Sequence, residues 1–251
     1  MTMEHVGIFG RIRGWGRRIP GARWLWQKVR LANPRYRNEL RLRRERPAGL
    51  FQHWSQTCEE RYPGIFSFVR DQLTEVAEPR ILSFGCSTGE EVITLRRYLP
   101  RAWITGIDIN PWNVKVARRR LRRARDPRVR IVLASSPQAE PDDVFDAIFC
   151  MAVFRCGDLN LADYPRCDHL LRFEEFERVV TDLDRTLKPG GLLAITLANF
   201  RFADTTLATA YEPVLSLRQT TRPHATPLYG PDNRRLSSSQ PYNEVFRKRR
   251  G

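Results

Sequence analysis

A stretch of small residues between an apolar run and an amphipathic segment is the best candidate in this chain for binding a ligand. The run Ile81 to Phe84 leads into Gly85-Cys86-Ser87-Thr88-Gly89, and an amphipathic segment begins at Glu90. Glycines let the backbone approach a ligand closely, and the first turn of a helix offers unpaired N–H groups. The order of these segments predicts a strand, a tight turn and a helix.

An acidic residue follows this loop at the spacing of a nucleoside-binding site. A second apolar run, Trp103 to Ile107, ends in Asp108, nineteen residues after Gly89. A carboxylate at that place can accept hydrogen bonds from both ribose hydroxyls of a bound nucleoside. The two segments together predict a nucleoside-cofactor site on a doubly wound sheet.

Four blocks of the sequence resemble, in the same order, those of the class I S-adenosylmethionine-dependent methyltransferases. They are the loop Gly85 to Gly89, the second-strand signature Gly106 to Asn110, the fourth strand Phe145 to Cys150, and the turn Leu187 to Leu193 into the fifth strand. The resemblance covers roughly residues 66–248. The stretch Ser87 to Glu91 also resembles the loop of the chemotaxis-receptor glutamate methyltransferases.

The resemblance implies an α/β fold, which is a Rossmann-like doubly wound, mostly parallel seven-stranded sheet with an antiparallel last strand. The segment Tyr242 to Lys248 suits that last strand. Before it, the spacing of apolar residues suggests one more helix, through Leu207, Tyr211, Val214 and Leu215. We expect residues 1–50 to form a basic, aromatic-containing N-terminal arm and residues 51–251 to form the methyltransferase domain.

The resemblance also implies S-adenosylmethionine as the cofactor. The residues implied to line its site are Ser83, Gly85, Cys86, Ser87, Gly89, Asp108, Ile109, Ser135 and Met151. Ser83 and Ser135 stand where many members have acids that meet the methionine end and the adenine amine. Ser87 replaces the middle glycine, so we expect a negative φ at this residue and only a few-fold change in cofactor affinity for Ser87→Gly.

Two other interpretations of the loop remain. A nicotinamide dehydrogenase has the pattern G-x-G-x-x-G, whereas this chain has G-x-S-x-G and no third glycine at the required offset. A glycine turn that binds no ligand is the other alternative.

Candidate substrate residues leave the carboxyl ends of the central strands. We expect a pocket walled by Met151 to Arg155, His169 and Asn199 to Phe202. His169 is a weak candidate for a catalytic base, and Arg155 could hold an acidic substrate by a forked contact or pair with Asp158. The Asn/Asp-Pro-Pro-Tyr/Phe block of amine-directed relatives is missing after the fourth strand. Carboxyl, hydroxyl and other small acceptors are therefore favoured over exocyclic amines, and the acceptor is not identified.

The net charge of +15 is concentrated in two segments. Residues 1–50 contain 13 Lys and Arg against three acids, and residues 118–130 contain eight Arg and one Asp. The first segment interleaves Arg with aromatics, namely Phe9, Trp15, Trp24, Trp26 and Tyr36. Such a segment is either a basic arm draped on the surface or a contact with a polyanion, either RNA or an anionic membrane surface. We expect the arm to dominate any polyanion binding.

Composition limits the class of protein further. No apolar run approaches the ~20 residues of a transmembrane helix. The five cysteines form no C-x-x-C pair, which favours reduced thiols. We therefore expect a cytoplasmic protein, either free or peripheral at the membrane. The spacing of Cys156, Cys167 and His169 matches no familiar zinc site, so we expect no metal.

Two functions from different classes follow. The first is an S-adenosylmethionine-dependent methyltransferase with an unidentified methyl acceptor. The alternative is a catalytically inactive methyltransferase-fold adaptor that binds nucleic acid or an anionic membrane surface through the two basic segments. The missing acids at Ser83 and Ser135 favour the adaptor, whereas the retained Gly85, Gly89 and Asp108 favour the enzyme, because a ribose-binding acid has little structural purpose of its own.

Overall fold

The computed structural model describes Lys28 and residues 31–55, 57–216, 226–237 and 243–250. The chain divides into two compact units, one up to Glu45 and one from Arg46 onwards. Residues 46–50 therefore belong to the second unit, although the sequence predicted a boundary after residue 50. Four aromatics of the arm lie outside the described residues, namely Phe9, Trp15, Trp24 and Trp26.

In the first unit, a helix (α1) extends over Pro34–Glu45. Proline is favoured at the first helical position, because the N–H that it lacks would have no partner within the helix. An ion pair between Arg35 and Glu39, 3.0 Å apart, joins residues one turn apart. Arg43 and Arg44 lie in the last turn, where positive charge interacts favourably with the helix dipole.

The second unit is built on a seven-stranded sheet with the order β3-β2-β1-β4-β5-β7-β6. The strands are β1 Arg80–Phe84, β2 Trp103–Asp108, β3 Val129–Leu133, β4 Phe145–Met151, β5 Leu187–Thr196, β6 Tyr211–Ser216 and β7 Asn243–Lys248. The helices are α2 Pro63–Gln72, α3 Glu90–Tyr98, α4 Pro111–Ala124 and α5 Phe173–Thr186. Strands β1 to β5 pair in parallel, and β7 is antiparallel to both of its neighbours. The predicted Rossmann-like doubly wound fold is confirmed.

Both faces of the sheet are covered by packed side chains. Ile81 and Leu82 are adjacent in β1 and fully buried, yet they belong to different apolar clusters, because successive strand side chains point to opposite faces. Leu82 packs in the cluster that contains Phe176 of α5. Ile81 packs in the cluster that contains Phe66 of α2 and Val92 of α3. Burial on both faces explains why the central strands are nearly continuous apolar runs.

The helix predicted through Leu207, Tyr211, Val214 and Leu215 is wrong. A short 3₁₀ turn, Ala208–Ala210, is followed by the edge strand β6, which pairs with β7. Tyr211 anchors this strand, since its ring lies 4.9 Å from that of Phe202 and its hydroxyl donates to Asp184 at 2.6 Å. An edge strand also tolerates a proline such as Pro213. Pairing with a distant strand therefore overrode the local helical spacing.

Two further observations concern the described residues as a whole. Within these ranges, none of the helices combines the length and the apolar character needed to cross a bilayer. All five cysteines are free thiols, four of them buried and Cys58 exposed.

Candidate functional site

The loop after β1 passes through the left-handed backbone region three times. The φ angles are 79° at Gly85, 50° at Ser87 and 94° at Gly89. The N–H groups of Gly85 and Cys86 both donate to the carbonyl oxygen of Ile107, at 2.8 and 3.0 Å. These bonds hold the loop beside the carboxyl end of β2, where the predicted ribose acid lies.

The expectation of a negative φ at Ser87 is wrong. A left-handed conformation costs roughly 1–2 kcal/mol for a residue that carries a Cβ. The Asp108 carboxylate accepts the Ser87 N–H through Oδ2 at 2.7 Å, and this bond fixes the orientation of the peptide. The Ser87 hydroxyl oxygen is buried and has no hydrogen-bond partner among the described residues. The serine is therefore strained in its backbone and carries a buried polar atom.

Asp108 connects three parts of the site. Besides Ser87, its Oδ1 accepts the backbone N–H of Asn110 at 2.8 Å and the side-chain amide of Asn113 at 3.2 Å. Burial raises the pKa of Asp108, and the three donors oppose that rise. A carboxylate offers about four acceptor positions, so about one remains for a ligand hydroxyl.

Gly85 allows a close approach between the loop and the segment after β4. A Cβ at this position would lie 2.6 Å from Cγ2 of Val153, and the φ is also in the left-handed region. Glycine is thus required by both space and conformation. The backbone at Gly85 and the side chain of Val153, just after β4, are therefore in close contact.

A carboxyl group that the sequence analysis did not assign lies beside Ser83. The Ser83 hydroxyl donates to Oε1 of Glu91, in the first turn of α3, at 2.6 Å. Glu91 as a residue is half-buried, but its carboxyl group is shielded from water, and this burial raises its pKa to about 8. The Ser83 hydrogen bond and the charge of Arg61 act in the opposite direction. The adjacent glutamates Glu90 and Glu91 after the loop were the available signal in the sequence.

The remaining predicted cofactor residues lie at the same edge of the sheet, after successive parallel strands. Cys86 is buried, and burial raises the pKa of its thiol well above the ordinary value, so the side chain packs as a neutral group. Ile109 is half-buried after β2, and Met151 is buried at the end of β4. Ser135 follows β3, and a Cβ at Gly49 would lie 3.0 Å from its carbonyl oxygen. Their roles toward a cofactor stay predictions.

The segments after β4 and β5, which the sequence predicted to wall a substrate pocket, are in contact. The Asn199 N–H donates to the carbonyl of Phe154 at 2.8 Å, and the Asn199 side chain accepts the Cys156 N–H at 2.7 Å. However, the side chains of Phe154, Phe200 and Phe202 are buried in the apolar core. Only part of these segments is therefore available to a substrate.

The two weak catalytic candidates, His169 and Arg155, differ in their exposure to solvent. His169 is exposed, with its ring 5.0 Å from that of Tyr164, and its carbonyl oxygen accepts a bond from Arg46. Arg155 is half-buried and donates to Oδ1 of Asn160 at 3.2 Å. The roles of His169 as a base and of Arg155 as a group that holds an acidic substrate stay predictions.

Part of this chain is similar to known methyltransferases. Residues 81–191 match a family model described as a methyltransferase domain. The chain is 32% identical over 126 residues to the demethylmenaquinone methyltransferase of Thermus thermophilus, an alignment of 50% of each protein. It is 27% identical over 130 residues to the malonyl acyl-carrier protein O-methyltransferase of a Paenibacillus species, which covers 51% of this chain and 41% of the relative. The chain thus spans half or less of the length of these relatives.

A solved structure also overlaps with part of the chain. The geranyl diphosphate C-methyltransferase of Streptomyces coelicolor aligns over 53% of this chain and 44% of its own, with 16% identity and a TM-score of 0.38.

The strain at Ser87 gives a testable prediction. Ser87→Gly should increase the free energy of unfolding by up to about 1 kcal/mol, because glycine adopts the left-handed conformation without a steric penalty. Ser87→Val, with a branched Cβ, should lower it. Urea unfolding of the three proteins measures both changes, and a stability loss in Ser87→Gly would contradict the strain.

The raised pKa of Glu91 predicts a pH-dependent stability. Because folding favours the protonated carboxyl, the wild-type protein should lose stability as pH rises from the ordinary pKa of 4.5 to about 8. Glutamine does not ionise, so the free energy of unfolding of Glu91→Gln should rise relative to that of wild type between pH 4.5 and about pH 8. Below pH 4.5 the difference between the two proteins should stay constant. Urea unfolding at a series of pH values measures the difference, and Glu90→Gln is the neighbouring control. A stability difference that does not change with pH would refute this assignment.

Proposed function

We propose that this chain, which carries a methyltransferase-family domain at residues 81–191, is an S-adenosylmethionine-dependent methyltransferase. The family match confirms the predicted resemblance for this part of the chain. The observation that carries the proposed activity is the presence of two shielded carboxyl groups, Asp108 and Glu91, on the two sides of the loop after β1.

The residues around Asp108 suit the nucleoside end of the cofactor. The carboxylate keeps about one acceptor position for a ribose hydroxyl after its three internal bonds. The buried Ser87 hydroxyl lies in the same loop and offers both a donor and an acceptor. Ile109 follows Asp108 directly and provides an apolar surface for the adenine ring.

Glu91 suits the methionine end. The family often has an acid at the end of the first strand, where this chain has Ser83. Here the carboxyl comes from α3 and is bonded to Ser83 at 2.6 Å. An ammonium group of the bound cofactor would favour the ionised form of Glu91, since an opposite charge within about 4–6 Å lowers the pKa of a buried acid.

When bound, S-adenosylmethionine supplies an electrophilic methyl group for an in-line displacement. The chain's part is to orient the two reactants and to exclude water from between them. The buried ring of Phe154 and the packed contact between Gly85 and Val153 provide a dry wall beside the loop. A base is required only when the acceptor must first lose a proton, and no residue is assigned to this role.

The methyl acceptor belongs to the small-molecule, carboxyl or hydroxyl classes in this proposal. The segment after β4, Cys150 to Phe154, lacks the motif of amine-directed relatives. One relative is named as an O-methyltransferase that acts on a malonyl acyl-carrier protein, which supports an oxygen acceptor. The cytoplasmic location stays a prediction that depends on the free thiols.

A non-catalytic adaptor is the second candidate function. Asp108 has structural bonds of its own, so its retention alone does not favour the enzyme, contrary to the argument from the sequence. The exposed arginines of α4, such as Arg119, Arg122 and Arg123, favour an anionic partner. Glu91 argues against the adaptor function. Its carboxyl group is shielded from water, which raises its pKa, and a polyanion-binding surface has no role for such a group.

Asp108 provides the test of cofactor binding. Asp108→Ala should weaken S-adenosylhomocysteine binding at least about tenfold, because a hydrogen bond to a charged group contributes about 1.5–3 kcal/mol. Asn110→Ala is the matched control, since it removes the α4 cap formed by Asn110 Oδ1 and leaves the Asp108 carboxylate in place. Titration calorimetry measures the affinity, and thermal unfolding shows that each variant is folded. An unchanged affinity in Asp108→Ala would place the ribose elsewhere.

The basic segments provide a separate test, of polyanion binding. Two arginines of the α4 face are engaged internally, because Arg118 donates twice to the Ile131 carbonyl at 2.9 and 2.8 Å, and Arg120 binds Glu90. Deleting residues 1–45 should therefore remove most of the salt-sensitive binding to RNA or anionic liposomes and leave S-adenosylhomocysteine binding intact.

A triple variant of the exposed α4 arginines, Arg119, Arg122 and Arg123 to Gln, should remove a smaller share of that binding. Salt titrations with RNA and with liposomes distinguish the two partners. Full, salt-sensitive binding by the truncated protein would show that the arm is not the polyanion-binding segment.

A further inference from the structure

Three side chains with metal-binding atoms, none of them assigned to the proposed cofactor site, converge near the carboxyl ends of β4 and β5. They are His53, in the segment before α2, and Cys156 and Asp158, on either side of Gly157 at the start of a 3₁₀ turn. One ligand atom from each lies within 4.8 Å of the other two. All three residues are buried, with exposed fractions of 6%, 4% and 5%.

The neighbours of the cluster fix the orientation of its members. The Cys156 N–H donates to Oδ1 of the fully buried Asn199 at 2.7 Å. The indole N–H of Trp54 donates to Oδ1 of Asp158 at 3.4 Å, and the Trp54 ring lies 4.6 Å from the ring of His53. In metal sites, residues that hydrogen-bond to the metal ligands, and do not contact the ion themselves, hold the ligand side chains in place.

The donor set indicates which ion it would take. An imidazole nitrogen, a thiolate sulfur and a carboxylate oxygen are the three ligand types that Zn²⁺ accepts in proteins. Mg²⁺ and Ca²⁺ prefer oxygen ligands alone and do not suit a site with a thiol. Zn–ligand distances of about 2.0–2.3 Å require the three atoms to move closer together by a modest amount.

We propose that His53, Cys156 and Asp158 bind one Zn²⁺ ion and leave its fourth position open to a further ligand. Three protein ligands with one open position are the composition of zinc sites that bind a substrate or water. This site goes beyond the proposed methyl transfer and does not depend on it.

The cluster differs from the one that the sequence analysis considered. Among Cys156, Cys167 and His169, only Cys156 belongs to it. The Cys167 sulfur lies 3.8 Å from Oδ1 of Asn233, and His169 is exposed. The other two members are Asp158, which is close to Cys156 in sequence, and His53, which is distant in sequence and comes from the segment before α2.

The distinction to be tested is between a metal site and a buried His53–Asp158 pair, whose closest atoms are 3.8 Å apart. A structural pair would not involve the thiol. Co²⁺ is a suitable probe, because its ligation by a thiolate produces an intense absorption band that its ligation by nitrogen and oxygen does not. The protein is purified as the full chain, reduced and without a histidine tag, and is titrated with Co²⁺ and then with Zn²⁺.

Five variants make the experiment specific. Cys156→Ser removes the thiolate, and the exposed Cys58→Ser is its control. His53→Gln and Asp158→Asn each remove one of the other ligands, and the exposed His169→Gln is the control for the histidine. Circular dichroism and thermal unfolding show that each variant is folded.

We expect the wild-type protein to bind one Co²⁺ with a thiolate band that Zn²⁺ abolishes. The band should disappear in Cys156→Ser and persist in both controls. Asp158→Asn and His53→Gln should bind Co²⁺ at least about tenfold more weakly, since even the loss of an outer partner has an effect of that size.

A wild-type protein without the thiolate band, or a Cys156→Ser variant that keeps it, would overturn the proposal. If Cys156→Ser does not fold, Asp158→Asn decides the question, because wild-type affinity for Co²⁺ in that variant also overturns it. Calorimetry with S-adenosylhomocysteine on the same preparations reports separately on the proposed cofactor binding, so that failure of one proposal is distinguished from failure of the other.

Discussion

The hydrogen bonds accepted by the Asp108 carboxylate are the constraint on which the candidate site depends. One buried side chain binds the Ser87 N–H of the loop after β1, the Asn110 N–H at the start of α4, and the Asn113 side chain in the first turn of α4. The loop after β1 is thereby fixed to the end of β2 and the start of α4, which lie about twenty residues further along the chain. Losing such a partner would leave buried N–H groups unpaired, which typically costs about 1–3 kcal/mol for each group. The same carboxylate thus holds the loop in shape and, in the proposed function, binds the ribose.

The site also contains features that oppose stability. The left-handed conformation of Ser87 and the shielded carboxyl group of Glu91 each cost free energy in the folded protein. Ser87 lies in the loop after β1 and Glu91 lies in the first turn of the helix that follows it, where a nucleoside cofactor is proposed to bind. A group held in an unfavourable environment is often one that is kept for binding a partner of complementary charge. The raised pKa of Glu91 and its hydrogen bond to Ser83 therefore mark this carboxyl group as a candidate binding residue.

The segment that precedes α2 packs against residues that follow β3 and β4. Gly49 packs on Ser135 after β3, and the Phe51 ring lies 5.1 Å from that of Phe154 after β4. The segment then brings His53 to the proposed zinc ligands. It crosses the carboxyl ends of several parallel strands, where ligands bind in open α/β sheets. Its residues show none of the regular periodicity that marks helices and strands, so its position could not be predicted from local patterns.

What the sequence by itself determined is the fold and the place of the loop that is proposed to bind the cofactor. The glycines at Gly85 and Gly89, with Asp108 at the end of the next strand, are local patterns whose geometry follows from backbone sterics and strand order. The tertiary structure alone decided how Ser87 is oriented, because its φ follows from the bond to Asp108. It also decided that Glu91 lies beside Ser83, since a helix and a strand meet there only after packing.

The edge strand β6 illustrates the same limit on local patterns. Its apolar residues have a spacing that suits a helix, and only pairing with β7 selects the extended conformation. The cluster of His53, Cys156 and Asp158 is a third case, because ligands from distant segments have no shared spacing in the sequence. Patterns within one element were therefore readable from the chain, whereas contacts between elements required the folded structure, since the energies of pairing and burial depend on neighbours that are distant in sequence.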